Sequence, residues 1–158
     1  MRKSGLFAVL LMVQASHVMA TDDAQQDKGF WYAQTSVYTK HYSPDPDHNN
    51  NQDLIGIERN QASGWVFGGA TFRNSFRQRS NYAYVGKRYE SAEYPVYLKV
   101  TGGLLQGYSG QYKDKIPLNH FGIAPVIIPS IGAHYGPLAA ELVFLGANAA
   151  MVTTGIRF

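Results

Sequence analysis

The chain has 158 residues, a length that fits one domain. It contains no cysteine, which excludes disulfides, zinc–thiolate sites and cysteine nucleophiles. Fourteen Lys and Arg stand against 11 Asp and Glu, for a formal net charge of +3. Two of the basic residues, Arg2 and Lys3, lie in the N-terminal segment described next. The remainder is therefore near neutral and predicts no nucleic-acid partner.

Residues 1–20 have the pattern of a secretory signal peptide. Arg2 and Lys3 provide the basic start, residues 5–13 form a short apolar run, and Val18-Met19-Ala20 offers small residues at the cleavage positions. The apolar run is too short to span a membrane as a helix. We predict export, cleavage after Ala20 and a single mature domain of residues 21–158.

Along the mature chain, apolar residues recur at every second position in eight segments: 30–41, 52–60, 64–73, 81–90, 95–105, 120–133, 137–145 and 149–158. Strands of about ten residues match the length that crosses a bilayer when tilted. In the fifth segment Leu98 and Val100 share one face, while Lys99 and Thr101 share the other. Phe158 ends the last segment with an aromatic residue, as is usual in outer-membrane barrels. We predict an all-β fold: an eight-stranded antiparallel transmembrane β-barrel of the outer membrane, closed so that no strand edge faces lipid.

The connections between segments predict which end faces outward. With both termini periplasmic, the connections 42–51, 74–80, 106–119 and 146–147 lie outside, and the short turns 61–63, 91–93 and 135–136 lie inside. His41, His48 and Ser75 should then share the extracellular rim. We also expect an uncharged lumen that includes Gly86, Gly102 and Met151, which disfavours a channel.

Several motifs, in order, resemble those of the PagP-type lipid A palmitoyltransferases. Phe72-Arg73-Asn74-Ser75-Phe76 resembles the family's Phe-Lys-Asp-Ser-Trp, and Gly86 follows Ser75 by eleven residues, at the family's spacing. Pro125-Val126-Ile127-Ile128-Pro129 resembles Pro-Val-Leu-Leu-Pro, Tyr135-Gly136-Pro137 is the family's Tyr-Gly-Pro, and Arg157-Phe158 its ending. The resemblance extends from about residue 35 to residue 158.

The resemblance implies a function and its partners. A monomeric barrel would take a palmitoyl chain from a phospholipid into an apolar pocket and transfer it to lipid A in the outer leaflet, with no metal or cofactor. Gly86 would form the floor of a hydrocarbon ruler, so a larger residue there should shorten the preferred chain. Pro125 and Pro129 would mark a lateral gate, supported on one side only because Gly146 replaces a family proline. Residues 21–29 are too few and too polar for the family's N-terminal amphipathic helix.

The resemblance also selects catalytic candidates at the extracellular rim. Ser75 would be the nucleophile or a transition-state hydroxyl, which requires a neighbouring base. His41 is our first choice for that base and His48 the second.

Asn74 is the main departure, because it stands where the family has aspartate. An amide can orient a partner or donate to an oxyanion, but it cannot act as a base. Either Asp45, Asp47 or Asp53 supplies the acid, Asn74 donates to the oxyanion, or activity is lost.

Three other interpretations stay open. The first is ordinary turn chemistry, which accounts both for Asn74-Ser75 and for segment 45–51, rich in Pro, Asp and Asn. A calcium loop in that segment is disfavoured, because the distal Glu that such a loop needs is missing. His41-Tyr42-Ser43 has the His-x-Ser spacing of lipid A deacylase barrels, although in those proteins the motif lies near the C-terminal part of the chain. A non-catalytic barrel, either structural or a narrow channel, is the third.

Overall fold

The computed structural model describes residues 29–43, 45–107 and 122–158. They form eight strands: β1 (Phe30–His41), β2 (Ile55–Asn60), β3 (Trp65–Arg73), β4 (Arg79–Glu90), β5 (Val96–Gln106), β6 (Ile123–Tyr135), β7 (Leu138–Leu145) and β8 (Ala149–Arg157). The predicted signal peptide and most of the predicted connection 106–119 lie outside the described residues. The described part of the chain has no helix long and apolar enough to cross a membrane.

Each strand pairs antiparallel with the next, and β8 returns to pair with β1, so the sheet is a closed barrel. The predicted fold class and strand number are confirmed, and the strand bounds differ most at the starts of β2 and β6. Tight turns make this order possible, and Gly64 and Gly136 adopt positive φ in two of them. We call the end that carries residues 42–54, 74–78 and 146–148 the upper end, and the end with Gly29 and Phe158 the lower end.

The exterior of the barrel is apolar. Alternation places large hydrophobic side chains outward on every strand, among them Ile55, Phe67, Leu98, Ile127, Leu142 and Ile156. At the lower end, Arg59 lies 5.6 Å from the ring centroid of Trp31, and Lys87 lies 5.1 Å from that of Trp65. An apolar band bordered by aromatic and basic side chains is the surface that a bilayer requires.

The lower half of the lumen is filled by a buried ionic network. Lys99 Nζ lies 3.1 Å from a Glu58 oxygen and 2.7 Å from a Glu141 oxygen. Tyr84 donates to Glu58 at 2.7 Å, and Tyr97 donates to Glu141 at 2.8 Å. Each buried charge thus has an opposite partner and further hydrogen bonds, as burial requires.

This network corrects the expectation of an uncharged lumen, because the inward face of β5 carries Lys99 as its alternation demands. Gly102 was also misplaced: it follows the buried Thr101 and therefore faces outward. Gly86 and Met151 do face inward.

The barrel wall is interrupted at the upper end between β6 and β7. Their ladder runs only from Ser130↔Val143 to Tyr135↔Leu138, so residues 123–129 of β6 have no partner on β7. Pro125 and Pro129 lie in this stretch, and a proline has no N–H to donate to a neighbouring strand. This part of β6 is therefore a strand edge within an otherwise closed barrel.

The β1–β2 ladder also stops early, at Thr35↔Ile55. Above it the chain leaves the sheet: Thr39 N–H donates to Asn50 O at 3.1 Å, and Leu54 N–H donates to the Ser36 hydroxyl at 3.0 Å. This is why β2 begins three residues later than the alternation of residues 52–60 predicts. The same detour brings residues 45–51 over the mouth of the barrel.

Candidate active site

His41 and Ser75 meet at the upper mouth of the barrel. His41 is the last residue of β1 and only 7% exposed. Its Nε2 lies 2.7 Å from Ser75 Oγ, although 34 positions separate the two residues in sequence. Asn49 joins the two loops, because its N–H donates to the Ser75 carbonyl at 2.8 Å. The predicted pair of serine and base is therefore within hydrogen-bonding distance.

Asn50 completes the arrangement from the other side of the imidazole. Its Oδ1 lies 2.8 Å from His41 Nδ1. An amide oxygen only accepts, so Nδ1 carries the proton and Nε2 is free to accept the Ser75 hydroxyl proton. A nucleophile, a base and an amide that fixes the tautomer are the three roles of a Ser–His–Asn triad.

Asn50 takes the place that the sequence analysis left to an aspartate. Asp45 Oδ1 instead accepts from the N–H of Asp47 at 2.9 Å, and Asp53 lies just before β2 with a positive φ of 47°. The signal for Asn50 was present in the Asn49-Asn50-Asn51 run, but only the path of the loop selects one asparagine of the three.

Asn74 serves the hairpin rather than the histidine. It is fully buried, and its Oδ1 accepts from the N–H groups of Phe76 at 2.9 Å and Gln78 at 3.0 Å. Its Nδ2 donates to Ser80 Oγ at 3.1 Å. Both ends of the amide thus hydrogen-bond within the turn that carries Ser75, and the catalytic role of Asn74 stays a prediction.

His48 lies beside the pair without joining it. Its ring centroid is 4.3 Å from that of His41 and 5.7 Å from that of Phe76, whose ring is close to perpendicular to it. His48 Nδ1 is buried and has no hydrogen-bond partner within the described ranges. Of the two histidines, His41 is therefore the one within hydrogen-bonding distance of Ser75, and His48 packs against it.

A cavity of about 570 Å³ begins at this triad and fills the upper half of the lumen. Its middle section is apolar and is lined by Leu54, Phe72, Leu105, Ile128, Val143 and Met151. The volume is in the range of ordinary small-molecule sites. The expectation of an apolar interior thus holds for the upper half of the barrel only.

Polar side chains form the floor of the cavity. Tyr84, Lys99 and Glu141 line its lower end, where the ionic network begins. Gly86 does not line the cavity. It faces inward one step lower on β4, where a Cβ would overlap the carbonyl oxygen of Val100 on β5. The structure therefore does not place Gly86 at the floor, as the ruler hypothesis requires.

The cavity opens sideways through the gap between β6 and β7. Pro125 and Ile127 are outward-facing, and Ile127 is 75% exposed, yet both line the cavity. Gly146 lines it from the β7–β8 turn on the other side of the gap. Pro129 lies below the opening, paired with Val100, and does not line the cavity.

Among the residues whose placement is described, no group of three or more His, Asp or Glu is positioned to hold a metal ion.

No family model matches the chain, and no curated protein is significantly similar to it. Among solved structures, one from a study of the de novo design of transmembrane β-barrels is similar, with a TM-score of 0.54 and 13% sequence identity. The similarity covers 84% of this chain and 97% of that chain. At this level of identity the comparison concerns the fold alone, and the fold is that of a closed, eight-stranded, transmembrane-type β-barrel.

Proposed function

We propose that this chain is an outer-membrane acyltransferase that moves a palmitoyl chain, or one of similar length, from a phospholipid to lipid A. The observation that carries the proposal is the hydrogen-bonded Ser75–His41–Asn50 triad at the mouth of an apolar cavity. The triad supplies ester chemistry, and the cavity supplies a place for the acyl chain. In this proposal the upper end faces the cell exterior, and the triad works at the level of the outer leaflet.

The triad supports a two-step transfer. His41 Nε2 takes the Ser75 proton as Oγ attacks the ester carbonyl of the phospholipid, and the same proton then passes to the leaving lysophospholipid oxygen. A lipid A hydroxyl next attacks the acyl-Ser75 ester, with His41 accepting its proton. That proton returns to Ser75 Oγ as the ester bond breaks, so the enzyme is regenerated without a cofactor.

The side opening supports a lipid substrate over a soluble one. A phospholipid in the bilayer can pass one acyl chain between β6 and β7, because the two strands are not paired along this stretch of the wall. Its headgroup stays at the rim beside Ser75. The apolar lining then receives the chain from the equally apolar bilayer core without exposing it to water, which would cost about 0.8 kcal/mol per methylene.

Mass spectra of lipid A test the proposal. We expect a Gram-negative host that lacks its own palmitoyltransferase to gain one palmitoyl mass on lipid A when it expresses the chain. Ser75→Ala should abolish the gain, while Ser43→Ala, which alters another serine of the cavity lining, should retain it. Lipid A without the added palmitoyl chain, in cells that contain the folded wild-type barrel, would overturn the proposal.

Hydrolysis is the second candidate, because the same triad can pass the acyl group to water. Purified protein in vesicles of phospholipid and lipid A separates the two reactions. Transfer gives acylated lipid A, whereas hydrolysis gives free fatty acid. The His-x-Ser deacylase interpretation predicts a different result: lipid A loses an acyl chain. This loss should persist in Ser75→Ala and stop in Ser43→Ala.

A further inference from the structure

The hairpin that presents Ser75 carries two arginines directly opposite each other. Arg73 ends β3, Arg79 begins β4, and the two are cross-strand partners. Their inward neighbours Phe72 and Ser80 face the lumen, so both arginines face outward, and both are exposed. Each is within four positions of Ser75.

The register brings these two like charges close together. The N–H of Arg73 donates to Gln52 and not to β4, so Arg73 and Arg79 form a non-hydrogen-bonded pair. This is the type of antiparallel pair in which the side chains approach most closely. Like charges at such a position destabilise a sheet unless an anion lies between them.

The described part of the chain does not provide that anion. Neither arginine forms an ion pair with a described carboxylate. The third arginine of the hairpin, Arg77, is directed elsewhere, because its Nη1 donates to the Asp47 carbonyl at 3.3 Å. Among the residues that the structure describes, Arg73 and Arg79 thus form a basic pair without a carboxylate partner on the outer face.

The position and chemistry of the pair select a phosphate. Guanidinium groups bind phosphate through two parallel hydrogen bonds, and two of them side by side match its several oxygens. The pair lies at the end of two membrane-spanning strands, at the level of lipid headgroups. It is three strands away from the β6–β7 opening, so a lipid held there approaches Ser75 from a different side than a chain that enters by that opening.

We infer that Arg73 and Arg79 bind the phosphate of the lipid that accepts the acyl chain. The inference rests on the proposed function for the identity of that lipid, lipid A. The phosphate then orients the acceptor so that its hydroxyl reaches the acyl-Ser75 ester from the outer face. Arg73 and Arg79 are binding residues here and take no part in bond making.

Binding measured in an inactive background tests this inference independently of catalysis. Ser75→Ala protein in nanodiscs of phosphatidylcholine is titrated with lipid A that carries both phosphates, with dephosphorylated lipid A and with phosphatidylglycerol, and the bound lipids are counted by native mass spectrometry. We expect a preference for phosphorylated lipid A that weakens about tenfold when Arg73→Gln and Arg79→Gln are added. Lysine at both positions should restore part of the affinity.

Lys40→Gln is the matched control, because Lys40 is also an exposed basic residue near the upper end but pairs with the neutral Ala150. It should leave binding unchanged. Equal binding of dephosphorylated lipid A or of phosphatidylglycerol, or full affinity in the double glutamine variant, would overturn the inference. Phosphate-dependent binding without any acyl transfer by the wild type would overturn the proposed function and leave this site standing.

Discussion

The hydrogen bond between Asn50 and His41 can be removed without touching the reacting atoms, by the substitution Asn50→Ala. In the proposed mechanism this 2.8 Å bond first joins the amide to an imidazole that has yet to accept a proton. During attack by Ser75 the imidazole becomes an imidazolium, and the same bond becomes charge-assisted. The substitution therefore costs more in the transition state than in the ground state.

The magnitude follows from the two kinds of bond. A neutral hydrogen bond contributes about 1 kcal/mol net, and one to a charged group about 1.5–3 kcal/mol. The difference of about 0.5–2 kcal/mol corresponds to a roughly 2- to 30-fold lower kcat. Asn50→Asp keeps an acceptor at the same place and adds a charge that offsets the imidazolium, so its rate should equal or exceed that of the wild type.

Initial rates of acyl transfer in vesicles of phospholipid and lipid A measure both variants. Asn51→Ala is the control, because Asn51 is the exposed neighbour in the same run and its backbone N–H donates to Asn49 Oδ1 at 3.1 Å, a bond that alanine retains. A wild-type rate for Asn50→Ala, together with no activity for Ser75→Ala, would refute the assignment of Asn50 to the triad.

Two further predictions concern the lower part of the cavity. Tyr84→Ala deepens the cavity at its floor and should let the proposed enzyme accept longer acyl chains, whereas Gly86→Ala should lower stability without changing the preferred chain length, because its Cβ would overlap the β5 backbone. Mass spectra of lipid A from cells fed mixed fatty acids distinguish these results. A shorter preferred chain in Gly86→Ala would support the hydrocarbon ruler at that position. Lys99→Met leaves two buried carboxylates without their cation and should reduce the free energy of unfolding, measured in urea titrations, by about 3–5 kcal/mol. Lys87→Met, at the exterior, should reduce it much less. Equal reductions in the two variants would show that the network does not stabilise the barrel.

Much of the fold could be predicted because alternation along each strand is a local property. The faces of β5 follow from the order of Leu98, Lys99 and Val100, and the structure confirms them. The late start of β2 could not be predicted in this way. Residues 52–54 keep the alternating pattern but lie outside the β1–β2 ladder, because the N–H of Leu54 donates to the Ser36 hydroxyl and the carbonyl of Gln52 accepts from the N–H of Arg73.

The site was predicted where it depends on strand ends and missed where it depends on loops. His41 and Ser75 lie together because His41 ends β1 and Ser75 closely follows the end of β3, and strand order places both strand ends on one rim. Asn50 lies in a loop whose path is set by contacts with Asn74 and Thr39, so its role depends on tertiary structure. The depth of the cavity depends on side chains from several strands. Spacing alone therefore assigned Gly86 to the cavity floor, whereas in the structure the floor lies above it.

The ionic network in the lower half of the lumen closes the cavity at its lower end. For a transferase of this shape, the acyl chain has no exit other than the way it entered. It therefore stays in place between the two half-reactions while the lysophospholipid departs and the acceptor arrives. The headgroups exchange at the rim around a stationary chain, the donor beside the β6–β7 opening and the acceptor on the side of Arg73 and Arg79.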